Sequence, residues 1–217
     1  MIILHHCADA RSFRPLWALE ELELPYELRM LPFPPRFLAK EYLAENPLGT
    51  IPLLVDGETR MTESGAMIEY LSRKHAGGRL AVEPDEPGFG AYLNGLHYGE
   101  ATLTFPQTLV LRYSRLEPPE RRLPQVAEAY GRWFLARLKA LDAALERSDY
   151  YAADRFTGAD ISIGYALVLA RTLGLDAEFP QRVTAYWERL SARPGLRRAK
   201  AAQAAAGEAQ GVAATPL

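Results

Sequence analysis

Residues 50–71, TIPLLVDGETRMTESGAMIEYL, place two chemically distinctive features at the ends of a short apolar hairpin. Pro52 stands at the mouth of the apolar strand, and Glu63 with Ser64 stands directly before a helical run. A helix start carries unpaired N–H groups and the positive end of the helix dipole, which both favour a carboxylate. Extended backbone beside the proline can pair with another extended chain. The two ends together predict a site for a small, peptide-like anion.

A second set of chemically capable residues lies in the N-terminal segment HHCADARSFRP, residues 5–15. Cys7 is the only cysteine, which excludes an intrachain disulfide and any CxxC redox or zinc motif. A free cysteine at the end of a core strand is usually a small buried hydrophobe, and the alternative is a thiol that forms mixed disulfides. His5 and His6 are adjacent on a strand and point to opposite faces, so we expect no metal site.

The overall composition is typical of a globular protein. Its 217 residues, 48% hydrophobic and 24% charged, suit one large domain or two small ones. A net charge of −2 provides no field that would attract nucleic acid or an anionic membrane, so we expect neither partner. The longest apolar stretch, residues 161–170, is about half a membrane span. We expect a cytoplasmic protein without a signal peptide.

The first third of the chain, which must position the candidate residues, mixes the periodicities of strands and helices. MIILHH and YELRMLPF are typical of strands, and SFRPLWALEEL and SGAMIEYLSRKH are typical of helices. Asp56-Gly57 is the strongest hairpin signal and predicts two further strands. The βαβ order at the start implies parallel strands, and the hairpin adds an antiparallel edge. A small sheet with helices packed against it follows.

The composition changes after this first part. GGRLAVEPDEPG is typical of a linker, and no convincing strand follows it. Thr157 and Asp160 are spaced as a capping box at the start of one later helix. The predicted helices cover residues 88–113, 124–147, 158–173 and 180–193. The predicted organisation is a domain at 1–77, a linker at 78–87, a helical domain at 88–205 and a frayed tail at 206–217.

The order and spacing of these motifs resemble the glutathione S-transferase superfamily over roughly residues 2–200. The most specific pieces are NPLGTIPLLVDG, TESGAMIEYLSRKH, FTGADISIGYAL and YWERLSARPGLRRA. The resemblance, to the bacterial theta- and beta-like cytosolic type, implies an α/β thioredoxin-like N-terminal domain followed by an all-α C-terminal domain. It also implies a homodimer with a role in detoxification and glutathione as co-substrate.

The resemblance assigns the hairpin residues to glutathione. It implies a cis bond before Pro52, so that the N–H and C=O of Ile51 pair with the cysteinyl backbone of the tripeptide. Ser64 would bind the γ-glutamyl carboxylate, and Glu63 would belong to the polar network around the α-amino group. The alternatives are a trans proline that opens an edge strand and a serine that only caps its helix.

One binding position departs from the family pattern. Many relatives carry a lysine where this chain has Thr50, and that lysine meets the carboxylates of glutathione. The glycyl carboxylate would therefore depend on Lys40, on Arg36 or on water.

The catalytic position departs from the pattern as well. Relatives activate the thiol with a Tyr, Ser or Cys near the first helix, and this chain has Ala10 and Arg11 at the Ser and Cys positions. We predict that Ser12 donates a hydrogen bond to the thiolate, through its hydroxyl or its backbone N–H, and that Arg11 adds positive charge. The alternative is that Ser12 only caps the first helix and Arg11 is solvated.

The resemblance also suggests a site for the second substrate. It places the helix containing residues 96–115 over the glutathione site, so that its aromatic and basic side chains would line a pocket between the domains. The candidates for this pocket are Tyr98, Phe105, Arg112 and Tyr113. Aromatic residues at helical spacing more often belong to the core, and we expect at least two of the four to lie there.

The predicted function is therefore that of a glutathione transferase, which activates glutathione as thiolate for attack on a small hydrophobic electrophile. Two alternatives stay open. One is a glutathione-dependent thiol–disulfide oxidoreductase or isomerase on the same fold. The other is a non-catalytic glutathione-binding or interaction protein, which the loss of the usual Ser or Cys at Ala10 and Arg11 favours.

Overall fold

The computed structural model describes residues 1–212, which form two compact units. The first unit contains Met1–Ala81 together with the described residues from Ala192 onward, and the second contains residues 82–191. The strands are β1 (Ile2–His6), β2 (Tyr26–Met30), β3 (Leu53–Asp56) and β4 (Thr59–Met61). The helices are α1 (Phe13–Leu22), α2 (Pro35–Leu38), α3 (Tyr42–Glu45), α4 (Ser64–Ala76), α5 (Phe89–His97), α6 (Phe105–Leu111), α7 (Pro124–Ala144), α8 (Gly158–Thr172), α9 (Gln181–Ser191) and α10 (Pro194–Ala209).

The first unit contains a four-stranded mixed sheet in the order β2-β1-β3-β4. β1 pairs with β2 in parallel and with β3 antiparallel, so that Leu4 lies opposite Leu28 on one side and Leu54 on the other. β3 and β4 form the predicted hairpin, and Gly57 at its turn has φ +60°, a conformation that glycine adopts without steric cost. The predicted thioredoxin-like arrangement of parallel and antiparallel strands is confirmed.

Helix α1 supplies much of the core of this unit. Phe13, Leu16, Trp17 and Leu19 on this helix are fully buried. The helix packs against α4 and α10 and ends at Glu23, which adopts a left-handed conformation. Because its first turn follows directly on the loop after β1, the packing of α1 fixes where that loop lies.

The C-terminal helix α10 is a difference from the sequence-based expectation. It continues to Ala209, beyond the predicted end of the helical domain at residue 205, and its residues belong to the first unit. Near its start, the guanidinium group of Arg193 binds both carboxylate oxygens of Glu21 at 2.8 Å. Past its end, the Gln210 side chain bonds the backbone of the edge strand β2. The predicted frayed tail at 206–217 is therefore helical over its first residues, and residues 213–217 lie outside the described residues.

The second unit is helical throughout its described elements and confirms the predicted all-α domain. The helical run from Phe89 includes two π-helical segments, Tyr98–Thr104 and Arg112–Leu116, which interrupt the regular α-helical pattern. The predicted capping box is present at the start of α8. The Thr157 side chain accepts from the Asp160 backbone N–H, and the Asp160 side chain accepts from the Thr157 backbone N–H. Among residues 1–212, no helix is both long enough and apolar enough to cross a bilayer.

Candidate active site

The peptide bond between Ile51 and Pro52 is cis, as the resemblance implies. Thr50, the residue before Ile51, is held in place by two hydrogen bonds to its carbonyl oxygen. The Tyr42 hydroxyl and the Asn46 side-chain amide each donate to the Thr50 carbonyl at 2.8 Å. These two donors fix the direction in which the backbone enters Ile51, so the edge that would pair with a peptide is held before any ligand arrives.

The turn that precedes this segment requires glycine. Gly49 has φ +61°, and its amide donates to the carbonyl of Asn46 at 2.8 Å. A Cβ atom at this position would lie 2.8 Å from Arg36 Cβ and 2.9 Å from Leu43 Cδ2. Both the backbone conformation and the available space therefore explain the glycine in NPLG.

The start of α4 combines a helix N-terminus with a buried cation. Glu63 occupies the N-cap position in an extended conformation and is exposed. Ser64, the first residue of the helix, is 4% exposed, and its hydroxyl oxygen accepts a hydrogen bond of 3.3 Å from Arg14 Nη1. The guanidinium group of Arg14 is buried on α1. A positive charge therefore lies behind the end of α4 at which the helix dipole is also positive.

The Ser12 hydroxyl, which we predicted as a donor to the thiolate, makes two hydrogen bonds inside its own loop. Ser12 is fully buried, and its Oγ donates to the Cys7 carbonyl at 3.3 Å while it accepts from the Cys7 N–H at 3.2 Å. Its proton is already used within the loop, and the side chain makes no capping bond to α1. The hydroxyl therefore closes the loop formed by residues 7–12, and the backbone N–H remains as the part of Ser12 proposed to face the thiol.

Cys7 is a buried structural residue in this unit. It is fully buried, and its Sγ lies 3.6 Å from the carbonyl oxygen of Pro32. Burial raises the pKa of the Cys7 thiol to about 12, so the thiol is protonated at neutral pH. A protonated, enclosed thiol is a poor nucleophile, which favours the packing interpretation of this cysteine over the redox one.

The loop after β1 and the segment at Ile51 meet in one hydrophobic cluster. Cys7, Ala10 and Ile51 are buried together there, along with Tyr42. Arg11, on the same loop, is partly exposed. Because Ala10 and Ile51 share a cluster, the loop that would face the thiol and the edge that would bind the cysteinyl backbone are neighbours.

Two of the predicted binding residues are exposed to solvent. Thr50 and Lys40 are both exposed. Lys40 lies two residues before the first residue of the short helix α3, and the Thr50 carbonyl accepts the two hydrogen bonds described above. An exposed ammonium group and an exposed hydroxyl are compatible with a carboxylate partner.

The four predicted pocket residues lie in the second unit and differ in their surroundings. The Tyr98 hydroxyl donates to the Arg137 carbonyl at 2.6 Å, and its ring stacks on Tyr151 at 5.9 Å. This fixes Tyr98 within the helical unit. Phe105 is 50% exposed. Arg112 binds Glu117 at 2.8 Å and lies over the Tyr113 ring.

Arg14 is the main residue of the site that sequence reasoning missed. Its neighbours Phe13, Leu16 and Trp17 are apolar and buried, and the arginine is buried with them. Arginine is rarely buried without a polar partner, so an arginine embedded in an apolar helix face is a signal for an internal partner. The sequence alone does not name Ser64, 50 positions away, as that partner.

Comparison with known proteins identifies the family. The family description "Glutathione S-transferase, N-terminal domain" matches residues 4–79, and "Glutathione S-transferase, C-terminal domain" matches residues 111–194. Glutathione S-transferase GstB of Escherichia coli strain K12 is 30% identical, over 84% of this chain and 89% of the relative. Glutathione S-transferase 3 of Schizosaccharomyces pombe is 27% identical, over 91% of this chain and 86% of the relative.

A solved structure agrees with these matches. The glutathione transferase URE2P6 from Phanerochaete chrysosporium, in complex with oxidized glutathione, is 25% identical and superimposes with a TM-score of 0.80. The match covers 94% of this chain and 97% of that one. The sequence matches fall in both units. The chain belongs to the glutathione S-transferase family.

Proposed function

We propose that this protein is a glutathione transferase that binds glutathione along Ile51 and the start of α4. It would hold the thiol as thiolate at the loop formed by residues 7–12 and present it to a small hydrophobic electrophile. The observation that carries the proposal is the buried Arg14 guanidinium behind Ser64. A buried cation at a helix N-terminus favours an anionic ligand, and the γ-glutamyl end of glutathione carries a carboxylate.

The remaining contacts follow from the extended shape of the tripeptide. The backbone of Ile51 would pair with the cysteinyl residue as a strand edge pairs with a peptide. Pro52 would support that edge, and Glu63 would accept from the α-amino group. Thr50 and Lys40, both exposed, would meet the glycyl carboxylate.

Activation of the thiol would depend on backbone donors and charge. A free thiol has a pKa of about 8.5, and lowering it by about two units takes roughly 2.7 kcal/mol of preferential thiolate stabilisation. The Ser12 hydroxyl is committed to Cys7, so the backbone N–H of Ser12, the dipole of α1 and the charge of Arg11 would supply this stabilisation. Attack on the electrophile then forms a C–S bond and expels the leaving group, or adds the thiolate across an activated double bond.

The proposal is tested by titrating the bound thiol. Ultraviolet absorbance of the thiolate, followed across pH with saturating glutathione, reports its pKa on the enzyme. We expect a value at least one unit below that of free glutathione, together with conjugation of an activated aryl chloride. A bound thiol with the pKa of free glutathione would contradict the transferase and support the non-catalytic alternative, which the buried Ala10 and the committed Ser12 hydroxyl favour.

The Arg11→Met variant tests the charge contribution to activation. We expect the pKa of the bound thiol to rise by about 0.5 to 1 unit, because a unit positive charge near a thiolate stabilises it by about 1 kcal/mol at high effective dielectric. Arg11→Lys should retain most of the wild-type value. Arg73→Met, which removes the same charge from an exposed ion pair on α4, is the matched control. Equal pKa values in the Arg11→Met and Arg73→Met variants would refute a role for Arg11.

We further propose, from family membership, that the protein is a cytoplasmic homodimer with a detoxifying role. Light scattering of the purified chain tests the dimer, and a monomer at micromolar concentration would contradict it.

The disulfide oxidoreductase alternative finds no support in Cys7, whose thiol is buried. Disulfide reductase activity that exceeds conjugation would restore that alternative.

A further inference from the structure

Helix α10 reaches the loop after β1 through one connected set of polar side chains. The side-chain oxygen of Gln203 lies 2.9 Å from His6 Nε2 and accepts from the Asp9 backbone N–H at 3.2 Å. The Gln203 amide nitrogen donates to Asp9 Oδ1 at 2.7 Å. The Lys200 ammonium group donates to the same carboxylate oxygen. Two residues of α10 therefore bind Asp9 through both its backbone and its side chain.

Asp9 needs such support because its backbone is in an uncommon conformation. Its φ is +54°, in the left-handed region that costs a non-glycine residue about 1 kcal/mol or more. Aspartate tolerates this region better than most residues. The contacts from Gln203 and Lys200 hold Asp9 there, and Lys200 also lies 4.9 Å from the centre of the Phe13 ring at the start of α1.

His6 extends the set of contacts into the core. It is fully buried at the end of β1, and burial lowers its pKa to about 4, so the ring is neutral at neutral pH. The Gln203 nitrogen is used by Asp9, so its oxygen faces His6 and Nε2 of the ring carries the proton. Gln203 therefore connects the last residue of β1 to the turn that follows it.

We propose that Gln203 and Lys200 are positioning residues for thiol activation. Through Asp9 they would set the conformation of the loop from which Arg11 and the Ser12 backbone N–H face the glutathione thiol. The inference rests on the proposed function, since it assigns these two side chains to the same loop. Electrostatics adds to the effect, because the loss of Lys200 would remove a positive charge that binds the Asp9 carboxylate two residues from Arg11.

Another α10 contact supplies a matched control. The Gln210 side chain, just past the end of α10, accepts from the Met30 N–H at 2.9 Å and donates to the Leu28 carbonyl at 2.8 Å. Gln203 and Gln210 are therefore both glutamines that attach the C-terminal segment to the first unit. They differ in that Gln203 holds the loop and Gln210 holds the edge of the sheet.

The test compares the bound-thiol pKa and the steady-state kinetics of Gln203→Leu, Lys200→Met, Lys200→Arg and Gln210→Leu in the full-length protein. For Gln203→Leu and Lys200→Met we expect the pKa to rise by about 0.5 to 1 unit and kcat/KM at pH 6.5 to fall about 3- to 10-fold, because a small displacement of an activating group has a large effect on rate. The KM for glutathione should change less than kcat. Lys200→Arg and Gln210→Leu should retain the wild-type pKa.

The outcomes separate this inference from the proposed function. If the wild type lowers the thiol pKa and Gln203→Leu and Lys200→Met do so equally well, α10 is only a structural anchor and the inference is overturned. If the wild type itself does not lower the thiol pKa, the proposed activation fails first and the inference fails with it. Should Gln203→Leu not fold, the Lys200→Met and Lys200→Arg pair decides, because the Lys200 side chain is 37% exposed and its loss leaves the buried face of α10 intact.

Discussion

The Asp160→Ala substitution should lower the free energy of unfolding of the protein by about 4 kcal/mol. Asp160 is fully buried, and its carboxylate accepts from the backbone N–H groups of Tyr151 and Thr157 at 2.9 and 2.8 Å and from the Tyr186 hydroxyl at 2.7 Å. Alanine would leave these three donors without an acceptor in the interior, and each orphaned group costs about 1–3 kcal/mol. The start of α8 would lose its capping box as well.

Thermal unfolding monitored by circular dichroism measures this effect, with an expected decrease in Tm on the order of 10 °C for a chain of this size. Asp142→Ala is the matched control, since Asp142 lies in the same unit and pairs with Arg182 in an ion pair whose arginine side chain is 47% exposed. That variant should lose less than about 1 kcal/mol. Equal decreases in the free energy of unfolding of the two variants would show that the buried Asp160 carboxylate stabilises the protein no more than an exposed ion pair does.

The arrangement of the first unit was predictable because its signals are local. The Asp56-Gly57 turn determines the β3–β4 hairpin, and the alternation between short apolar runs and amphipathic segments determines the order of strands and helices. Because β1, α1 and β2 form a βαβ unit, the parallel pairing of β1 with β2 follows from general topology. The Thr157 and Asp160 capping box was equally visible, since its partners are three residues apart.

Helix α10 was not predicted in full because its buried face is chemically weak. Its buried residues include Ala199, Gln203 and Gly207, which give little hydrophobic contrast with the exposed alanines around them. Its partners His6 and Asp9 lie almost 200 positions earlier in the chain, where no periodicity can connect them. The sequence therefore suggested a frayed tail where the structure has a helix bound to the first unit.

The candidate site was predictable in its motifs and not in its side-chain directions. Residues 51, 52, 63 and 64 follow from the family pattern, but Ser12 and Arg14 are two polar residues at the start of one helix, one just before α1 and one on its first turn. A sequence does not state which of them faces a ligand and which is used inside the protein. In the structure, Ser12 is hydrogen-bonded to Cys7 and Arg14 donates to Ser64, so the positive charge behind the start of α4 comes from a residue that the sequence analysis did not single out.

The Ser64→Ala substitution should weaken glutathione binding about 10- to 100-fold, equivalent to roughly 1.5–3 kcal/mol, because it removes a hydrogen bond to a charged group. The Ser64 oxygen accepts from Arg14, which leaves the hydroxyl proton for the γ-glutamyl carboxylate. Glu63→Ala should weaken binding as well, through the α-amino group, and being exposed it should not unfold the protein. Calorimetric titration with glutathione measures both dissociation constants.

Ser72→Ala is the control for the loss of a buried serine from the same helix. Ser72 is fully buried and accepts from the Leu80 N–H at 2.9 Å, so its loss should lower Tm and leave the glutathione affinity unchanged. A second comparison uses a glutathione analogue that lacks the γ-glutamyl α-carboxylate. If Ser64 binds that group, wild type and Ser64→Ala should bind the analogue equally, because the carboxylate with which the Ser64 hydroxyl interacts is already absent from the analogue. Unchanged glutathione affinity in both Glu63→Ala and Ser64→Ala would refute the assignment of this helix start to the ligand.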